Sequence, residues 1–223
     1  MDPQEADGRR GGIRRMKERP AGSYAGRGEK KEMEMKKLSL DQMREIYDLR
    51  MTEDFPDNER RPFSGIVSLF GRGEYEGWGL YEEEALLAYA FLVREIWQGK
   101  PCYLVDYIAV DRERRGSGIG ACLLKELKEV LAGAGCVFGE VENPDYAKTP
   151  EEKEEMERRI RFYLGNGFRD TGACEWLYHV EYMLLELPLS GDHTRDEIFD
   201  TAEFFYRKML PAHLVDRYLR LHR

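Results

Sequence analysis

The sequence predicts a mixed domain of the α+β class, in which helices flank a mostly antiparallel sheet. Segments with helical and strand periodicity follow one another irregularly, without a repeating strand–helix unit. Three consecutive strand candidates are joined by short polar turns, which is typical of an antiparallel meander. With 223 residues, 42% of them hydrophobic, the chain is long and apolar enough for one domain with a substantial core.

The amino-terminal part of this domain is predicted to contain one strand and two helices. The strand covers residues 33–38. Ser39 then precedes apolar residues at spacings of three and four as far as Met51, a pattern that predicts a capped helix. Residues 55–58, Phe-Pro-Asp-Asn, end that helix, and a second short helix begins at Pro62.

The rest of the chain continues as alternating strands and helices. Strands are predicted at residues 76–81, 85–96, 103–110 and 137–141, from Phe168 onward, and at 178–187, and helices at residues 118–134 and 151–164. The tail from Thr194 is predicted to be helical, with a second helix starting at Pro211.

Three regions follow from composition. Residues 1–31 are rich in Gly, Arg and Glu and almost lack apolar residues, so they are predicted to form a disordered basic arm. Residues 32–188 form the predicted domain. Residues 189–223 form a C-terminal helical extension with an apolar stripe, which is expected to pack on the domain or on a second copy of it. The protein is accordingly expected to be a monomer or a homodimer.

Charge and residue usage exclude several classes of protein. Residues 1–36 carry a net charge of +3 and the remainder carries −11, which opposes binding to nucleic acid because phosphates require a basic surface. The longest apolar run, residues 85–93, is too short to cross a membrane. The four cysteines and four histidines show no metal-ligand spacing. We expect reduced thiols, a cytoplasmic location and no metal site.

The segment after residues 103–110 carries the clearest functional pattern. Gly116, Gly118 and Gly120 open a Leu-rich helix. Glycine lets a backbone approach a ligand closely, and the free N–H groups of a helix start bind phosphate. A dinucleotide site, a structural turn and an acyltransferase site are three open interpretations. In a dinucleotide fold the first glycine follows its strand directly, whereas five charged residues intervene here.

Two motifs resemble those of the GNAT N-acetyltransferase superfamily. The segment Arg115-Gly-Ser-Gly-Ile-Gly120 resembles its Q/R-x-x-G-x-G/A signature and lies, as in that family, between a strand and an amphipathic helix. The segment Arg161-Phe-Tyr-Leu-Gly-Asn-Gly-Phe168 resembles its second motif, R-F-Y-x-x-x-G-F. The resemblance covers residues 33–188 and implies a twisted, mostly antiparallel sheet of six to seven strands with one splayed parallel pair, flanked by helices.

The resemblance also implies an activity, which is transfer of an acetyl group from acetyl-coenzyme A to a primary amine by direct attack. In this superfamily the coenzyme lies between the two splayed strands, here residues 103–110 and 137–142. The implied coenzyme-binding residues are Ile108, Ala109, Val110, Arg115, Gly116, Ser117, Gly118, Ile119, Gly120 and Ala121. A non-catalytic module of the same fold that binds or senses acyl-coenzyme A is the alternative, and an NAD-binding domain is a more distant one.

Three residues are candidates for proton transfer. Tyr163 occupies the position of the second-motif tyrosine that often protonates the leaving thiolate in this family, and the ordinary pKa of tyrosine, near 10, keeps it protonated. Glu140 and Glu142 lie two apart on one predicted strand, so they face the same side and are candidate bases for the acceptor amine.

The acceptor is expected to be a small, cationic molecule, because the body of the chain is acidic. By family analogy the loop after the first helix lies over the acceptor site, which makes Glu53, Asp54 and Phe55 candidate binding residues. Asp106 and Tyr107, on the strand predicted at residues 103–110, are further candidates for acceptor binding.

Overall fold

A computed structural model describes residues 32–222, and the predicted arm at residues 1–31 lies outside them. The chain forms an eight-stranded sheet in the order β1-β2-β3-β4-β5-β7-β6-β8, where six to seven strands were expected. The strands are β1 (Met33–Lys37), β2 (Tyr75–Glu82), β3 (Ala85–Trp97), β4 (Lys100–Val110), β5 (Cys136–Glu142), β6 (Arg169–Leu177), β7 (Val180–Glu186) and β8 (Leu219–Leu221). Strands β4 and β5 are parallel, and the other neighbouring strands are antiparallel.

Helices cover both faces of this sheet, which confirms the predicted mixed fold. They are α1 (Leu40–Ile46), α2 (Thr52–Asp54), α3 (Phe63–Gly71), α4 (Ile119–Val130), α5 (Pro150–Gly165), α6 (Arg195–Met209) and α7 (Ala212–Tyr218). A π-helical turn at Tyr47–Met51 links α1 to α2 within the predicted first helix. Every helix within residues 32–222 is too short or too polar to span a bilayer.

Side-chain caps fix the start of three helices. The Ser39 side chain accepts from the Gln42 N–H while the Gln42 side chain accepts from the Ser39 N–H, a capping box for α1. Thr194 forms the corresponding box for α6. Thr149 caps α5 through the Glu152 N–H. These caps explain why the sequence located the three helix starts to within one residue.

One face of the sheet is apolar and lies under α4 and α5. We call it the α4 face. Its buried cluster includes Leu123, Leu124 and Leu127 of α4, Tyr163 of α5, Ile108 and Val110 of β4, and Val137 and Val141 of β5. The Leu spacing of three and four in α4 places these side chains on one side of the helix.

The opposite face is covered by two groups of helices, and we call it the α6 face. Helices α1, α2 and α3 cover the β2–β4 side through Met43, Ile46, Phe55 and Ile66, whereas α6 contributes Ile198, Phe199, Phe205 and Tyr206. The C-terminal extension therefore shares a core with the sheet.

The last part of the chain differs from the helical tail expected. Helices α6 and α7 form as predicted, but residues 219–221 form strand β8, which pairs with β6 at the edge of the sheet. Leu221 continues the helical spacing of Leu214 and Tyr218, so the sequence pattern did not reveal the change to a strand. The turn before β7 also differs, because Tyr178 and His179 have positive φ values of 45° and 67° and separate β6 from β7.

Candidate functional site

The parallel strands β4 and β5 separate partway along their length. Their pairing runs from Cys102 opposite Cys136 to Val105 opposite Gly139. Beyond that point β4 continues to Val110 and β5 continues to Glu142, without further pairing between the two in the described chain. A gap therefore opens between residues 106–110 and 140–142, and the backbone of β4 on that side is available to an added extended chain.

A bulge in β4 lies at the point where the gap opens. Phe91 of β3 pairs with Tyr107 and Leu92 pairs with Val105, so Asp106 is the extra residue. A bulge places two consecutive side chains on one face. Here the side chains of Asp106 and Tyr107 both lie on the α6 face, whereas Ile108 returns to the α4 face.

The loop after β4 reaches the start of α4 through two glycines with positive φ, Gly116 at 75° and Gly118 at 87°. Gly118 is the N-cap residue and has no side chain to cap the helix, unlike Thr149 of α5 and Thr194 of α6. A Cβ atom built on Gly118 meets nothing within 4 Å. The first-turn N–H groups of α4, among them those of Gly120 and Ala121, therefore have no side-chain cap at the N-cap position, and free N–H groups at a helix start are suited to bind an anion.

The arginine of the first motif has a different role from the one its charge suggests. The Arg115 guanidinium donates to Asp54 Oδ1 at 2.7 Å and to the Val110 carbonyl at 3.1 Å. Tyr89 donates to the other Asp54 oxygen at 3.0 Å. Although these contacts favour ionisation, burial outweighs them and raises the pKa of Asp54. Arg115 therefore ties the loop to α2 through its side chain.

A second arginine reinforces this link between the loop and the first helices. Arg50 in the π-helical turn forms an ion pair with Asp111, the residue after β4. Burial opposes ionisation of Asp111, but the hydrogen bond from Arg50 is decisive and lowers the pKa of this carboxyl group. Ser117 donates its hydroxyl to the Arg114 carbonyl, which closes the loop locally.

The other wall of the gap carries the two candidate bases, and their surroundings differ. The Glu142 carboxylate accepts from the Arg159 guanidinium of α5 at 3.0 Å, so its charge is already balanced. Glu140 is 2% exposed on the α6 face, where, after burial, its charge and hydrogen bonding raise the pKa of the Glu175 carboxyl group.

Tyr163 lies on the α4 face, in the cluster that contains Ile108 and Val110 of β4. The side chain is 1% exposed, and its ring packs edge-on against Phe162 at 5.3 Å and Phe168 at 5.4 Å. The predicted acid and the gap-facing strand β4 are thus brought into one cluster.

Most of the predicted acceptor-binding residues are enclosed by protein contacts in this structure. The Asp106 carboxylate pairs with Arg61 at 3.3 Å and accepts from the Tyr75 hydroxyl at 2.7 Å. Burial first, and then the Asp106 charge, raise the pKa of Tyr75 well above its ordinary value. The Tyr107 hydroxyl accepts from the Arg61 N–H at 2.6 Å. Phe55 is 1% exposed and packs edge-on against Tyr107.

Asp54, Phe55, Asp106 and Tyr107 therefore hold the loop before α3 against β4. An acceptor would have to displace Arg61 or Arg115 to reach either carboxylate. Glu53, with its side chain 63% exposed beside Arg112, is the predicted acceptor residue that solvent reaches freely.

An acidic groove that the sequence did not indicate lies between α1 and the turn joining β2 to β3. Its volume is about 390 Å³. The lining residues are Gln42, Glu45, Ile46, Leu49, Arg50, Tyr81, Glu84, Ala85 and Leu86. It adjoins the loop after β4, because Arg50 pairs with Asp111 and the Asp111 N–H donates to the Leu87 carbonyl. Leu49, 62% exposed, gives the groove an apolar side.

One cluster qualifies the expectation that no metal ligands come together. Ligand atoms of Cys136, Glu186 and His193 lie within 4.8 Å of one another. Glu186, which is fully buried, also accepts from the Arg169 guanidinium, which supplies the positive charge that a buried carboxylate requires. Burial raises the pKa of the Cys136 thiol, which opposes formation of a thiolate ligand. These residues are distant in sequence, so their spacing gave no signal.

Sequence reasoning missed three buried polar residues that bear on the site: Arg61, Glu175 and Tyr206. Arg61 was grouped with a charged loop, and Tyr206 with an apolar helix stripe. Glu175 lies between Ala173 and Leu177 on the same face of its strand, and this was the signal available, since a buried carboxyl group requires a partner.

Comparison with known proteins agrees with this geometry. The model of the acetyltransferase (GNAT) family matches residues 40–150. No protein of curated function matches the sequence. The ribosomal-protein-S18-alanine N-acetyltransferase of Escherichia coli is similar in structure, with a TM-score of 0.52, 19% identity, and coverage of 73% of this chain and 97% of that chain.

Two further solved structures share the fold. An Arabidopsis thaliana protein in complex with the bisubstrate analogue CoA-Ac-MVNAL has a TM-score of 0.52 at 15% identity, covering 69% of this chain and 97% of that chain. A chimera of the Vibrio cholerae spermidine N-acetyltransferase has a TM-score of 0.51 at 12% identity, covering 71% and 96%. The parted strands, the helix start and the family match together define an acetyltransferase fold. The chain belongs to the GNAT family, and it is an N-acetyltransferase of that family.

Proposed function

We propose that this enzyme binds acetyl-coenzyme A in the gap between β4 and β5 and transfers the acetyl group to the primary amine of a small, cationic molecule. The observation that carries the proposal is the parting of β4 from β5 after Val105, directly below the uncapped start of α4. One feature accepts an extended chain and the other accepts an anion, which are the two parts of a coenzyme A molecule.

The residues present fit such a donor. The main chain of Ile108, Ala109 and Val110 forms the free edge of β4 and pairs with the amide groups of the pantetheine arm. The N–H groups of residues 116–121 hold the pyrophosphate, because Gly116 and Gly118 remove the Cβ atoms that would block it. The fold neighbour solved with a CoA bisubstrate analogue supports this assignment.

Two residues transfer the protons of the reaction. Glu140 accepts, through water, the proton that the acceptor ammonium must lose before its nitrogen attacks the thioester carbon. Tyr163 donates a proton to the sulfur as the C–S bond breaks, and the second proton that the nitrogen loses after the C–N bond has formed restores the Tyr163 hydroxyl. The products are the acetamide, coenzyme A as a thiol and one proton released to solvent. A main-chain N–H near Ile108 polarises the thioester carbonyl.

The acidic groove between α1 and the β2–β3 turn is the acceptor-binding region that the geometry favours. Glu45 and Glu84 attract a cation, and Leu49 and Leu86 accommodate its alkyl part. Glu53 pairs with Arg112 of the loop after β4 at 3.9 Å. A spermidine N-acetyltransferase among the fold neighbours is consistent with a cationic acceptor, whereas another neighbour is named for an alanine of a ribosomal protein.

Release of free thiol from acetyl-coenzyme A tests this function. The wild-type chain is assayed with a panel that includes spermidine, an aminoglycoside, free amino acids and a peptide with an amino-terminal alanine. We expect acceptor-dependent release that is fastest with a polyamine or another small cation. Release with the peptide alone would overturn the small-molecule acceptor, and tight coenzyme binding without release by any amine would favour the sensing module.

Tyr163→Phe tests the acid. We expect turnover to fall at least tenfold while acetyl-coenzyme A still binds, because the ring and its packing are kept and the proton donor is lost. Tyr103→Phe is the matched control, since Tyr103 belongs to the same buried cluster and is only 7% exposed. Equal turnover in the two variants would rule out Tyr163 as the acid.

A further inference from the structure

Glu175 is a fully buried carboxyl group in the middle of strand β6. In the antiparallel pairing of β6 with β7, Glu175 lies opposite Tyr182. Tyr182 in turn lies opposite Glu142 of β5. Glu140, two residues before Glu142, therefore lies on the same α6 face as Glu175, with strand β7 between them. The Glu140 carboxyl group is close enough to raise the pKa of Glu175, and the exposures of the two residues are 2% for Glu140 and 0% for Glu175.

The C-terminal extension completes this cluster. The Tyr206 hydroxyl of α6 donates to Glu175 Oε1 at 2.6 Å, and Tyr206 is itself 1% exposed. The other oxygen, Glu175 Oε2, is buried and has no donor within residues 32–222. A proton on Oε2 gives this oxygen a hydrogen-bond partner, because Glu175 then donates to Glu140 while Oε1 continues to accept from Tyr206.

The charges of the two carboxyl groups also indicate that Glu175 carries a proton. Two carboxylates close to each other and away from water cannot both be ionised, so the pair retains one proton near neutral pH. Burial first, and then the charge and hydrogen bond of Glu140, raise the pKa of Glu175 well above its ordinary value. The groups that act on Glu175 are Glu140 of β5 and Tyr206 of α6 on the same face, and Glu181 of β7, which pairs with His222, through its charge. Glu181 raises the pKa further, so these neighbours keep the proton on Glu175.

We propose that Glu175 and Tyr206 are positioning residues for Glu140, with Glu175 as the proton-bearing partner that leaves Glu140 ionised and oriented to accept the proton of the acceptor amine. This inference rests on the proposed function and gives the C-terminal extension a part in it. In the step concerned, an N–H bond of the ammonium breaks and an O–H bond forms on Glu140. The proton then leaves to solvent after the product dissociates.

Two substitutions of Glu175 distinguish positioning from packing. Gln reproduces the neutral acid, because its NH2 group donates to Glu140 and its oxygen accepts from Tyr206. Leu keeps a similar volume but donates nothing. With the best amine of the panel, we expect Glu175→Gln to keep kcat/KM within about twofold and Glu175→Leu to lose at least tenfold with an unchanged KM for acetyl-coenzyme A.

The pH dependence of kcat/KM is a measurement that a purely structural role of Glu175 would leave unchanged. Loss of the donor to the Glu140 carboxylate raises its pKa, so the acidic limb of kcat/KM in Glu175→Leu is expected to shift to higher pH. Tyr206→Phe is expected to lower kcat/KM by about two- to fivefold, because it only loosens Glu175. Tyr218→Phe, in α7 of the same extension, is the control and is expected to match the wild type.

A second measurement needs neither an acceptor nor a foldable Leu variant. Because the folded-state pKa of Glu175 is raised, its contribution to stability is fully present below the ordinary pKa of about 4.3 and is lost as pH rises through the folded value. Urea unfolding should therefore show Glu175→Gln becoming increasingly more stable than the wild type as pH rises. Infrared spectra near pH 7 should contain a carboxylic-acid band that Glu175→Gln lacks.

The outcomes separate the two proposals. A wild type that transfers acetyl to no amine overturns the proposed function, and the stability and infrared measurements still test the proton on Glu175. Transfer by the wild type with equal losses in Glu175→Gln and Glu175→Leu, or an unshifted acidic limb in Glu175→Leu, overturns the positioning role. A stability difference between the wild type and Glu175→Gln that does not change with pH overturns the proton assignment.

Discussion

The two faces of the sheet bury their side chains by different means. The α4 face is a continuous apolar cluster beneath helices α4 and α5, with Leu123 and Leu127 fully buried. The α6 face has an apolar core of similar kind, but buried polar contacts interrupt it at Asp106, Asp54 and Glu175. The gap between β4 and β5 opens in the sheet that separates these two faces.

This difference shows how local and distant sequence contribute to the fold. Apolar packing tolerates changes that keep volume, whereas a buried charge is stable only while its partner is present. The partners on the α6 face lie far apart in sequence: 45 residues for Arg61 and Asp106, and 61 for Arg115 and Asp54. The stability of the α6 face is therefore expected to depend on its buried charge pairs, and that of the α4 face on side-chain volume.

The largest effect is expected where a buried pair is broken on the α6 face. Arg61→Met keeps most of the side-chain volume but leaves Asp106 buried without its cation. We expect the free energy of unfolding to fall by about 3–5 kcal/mol in urea titrations. Arg72→Met is the matched control, because Arg72 is about half exposed in its pair with Glu74 and its loss costs about 1 kcal/mol at most. Similar small losses in both variants would mean that the buried pair does not hold the loop.

A loss of volume tests the α4 face in the same way. Leu124→Ala removes a side chain that is 1% exposed, and we expect a loss of about 2–5 kcal/mol from transfer and cavity formation. Leu164→Ala on α5, where the side chain is 40% exposed, is expected to cost much less. Thermal unfolding of the two variants checks this, and equal shifts in Tm would contradict the packing described for this face.

The smallest expected effect is the loss of stability when a helix cap is removed, and it should be the same on both faces. Thr149→Ala removes the cap of α5 on the α4 face, and Thr194→Ala removes that of α6 on the α6 face. Each is expected to cost about 1 kcal/mol, because a cap is a local interaction. A much larger loss for Thr194→Ala would show that the capping box of α6 also supports the buried polar cluster.

The same division between local and distant interactions explains what the sequence predicted. The meander, the helix starts and the glycine loop were found because spacing and caps are local signals. Strand β8 was missed because three residues with helical spacing become a strand only through pairing with β6. The enclosure of Asp106 was missed because a bulge and Arg61 of a distant loop decide it. The acidic groove likewise exists only after α1 packs beside the β2–β3 turn.

Calorimetric titration with acetyl-coenzyme A tests the central claim most directly, using Gly118→Ala and Gly99→Ala as a matched pair. Both glycines have positive φ, 87° and 78°, and a Cβ atom at either meets nothing within 4 Å, so both variants bear similar backbone strain of about 1–2 kcal/mol. Gly118 opens α4, whereas Gly99 lies in the turn between β3 and β4, at the opposite end of β4.

The account predicts that the wild type and Gly99→Ala bind acetyl-coenzyme A equally and that Gly118→Ala binds at least tenfold more weakly. Equal affinity of the two variants, or no binding by the wild type, would contradict a coenzyme site between the parted strands and the start of α4.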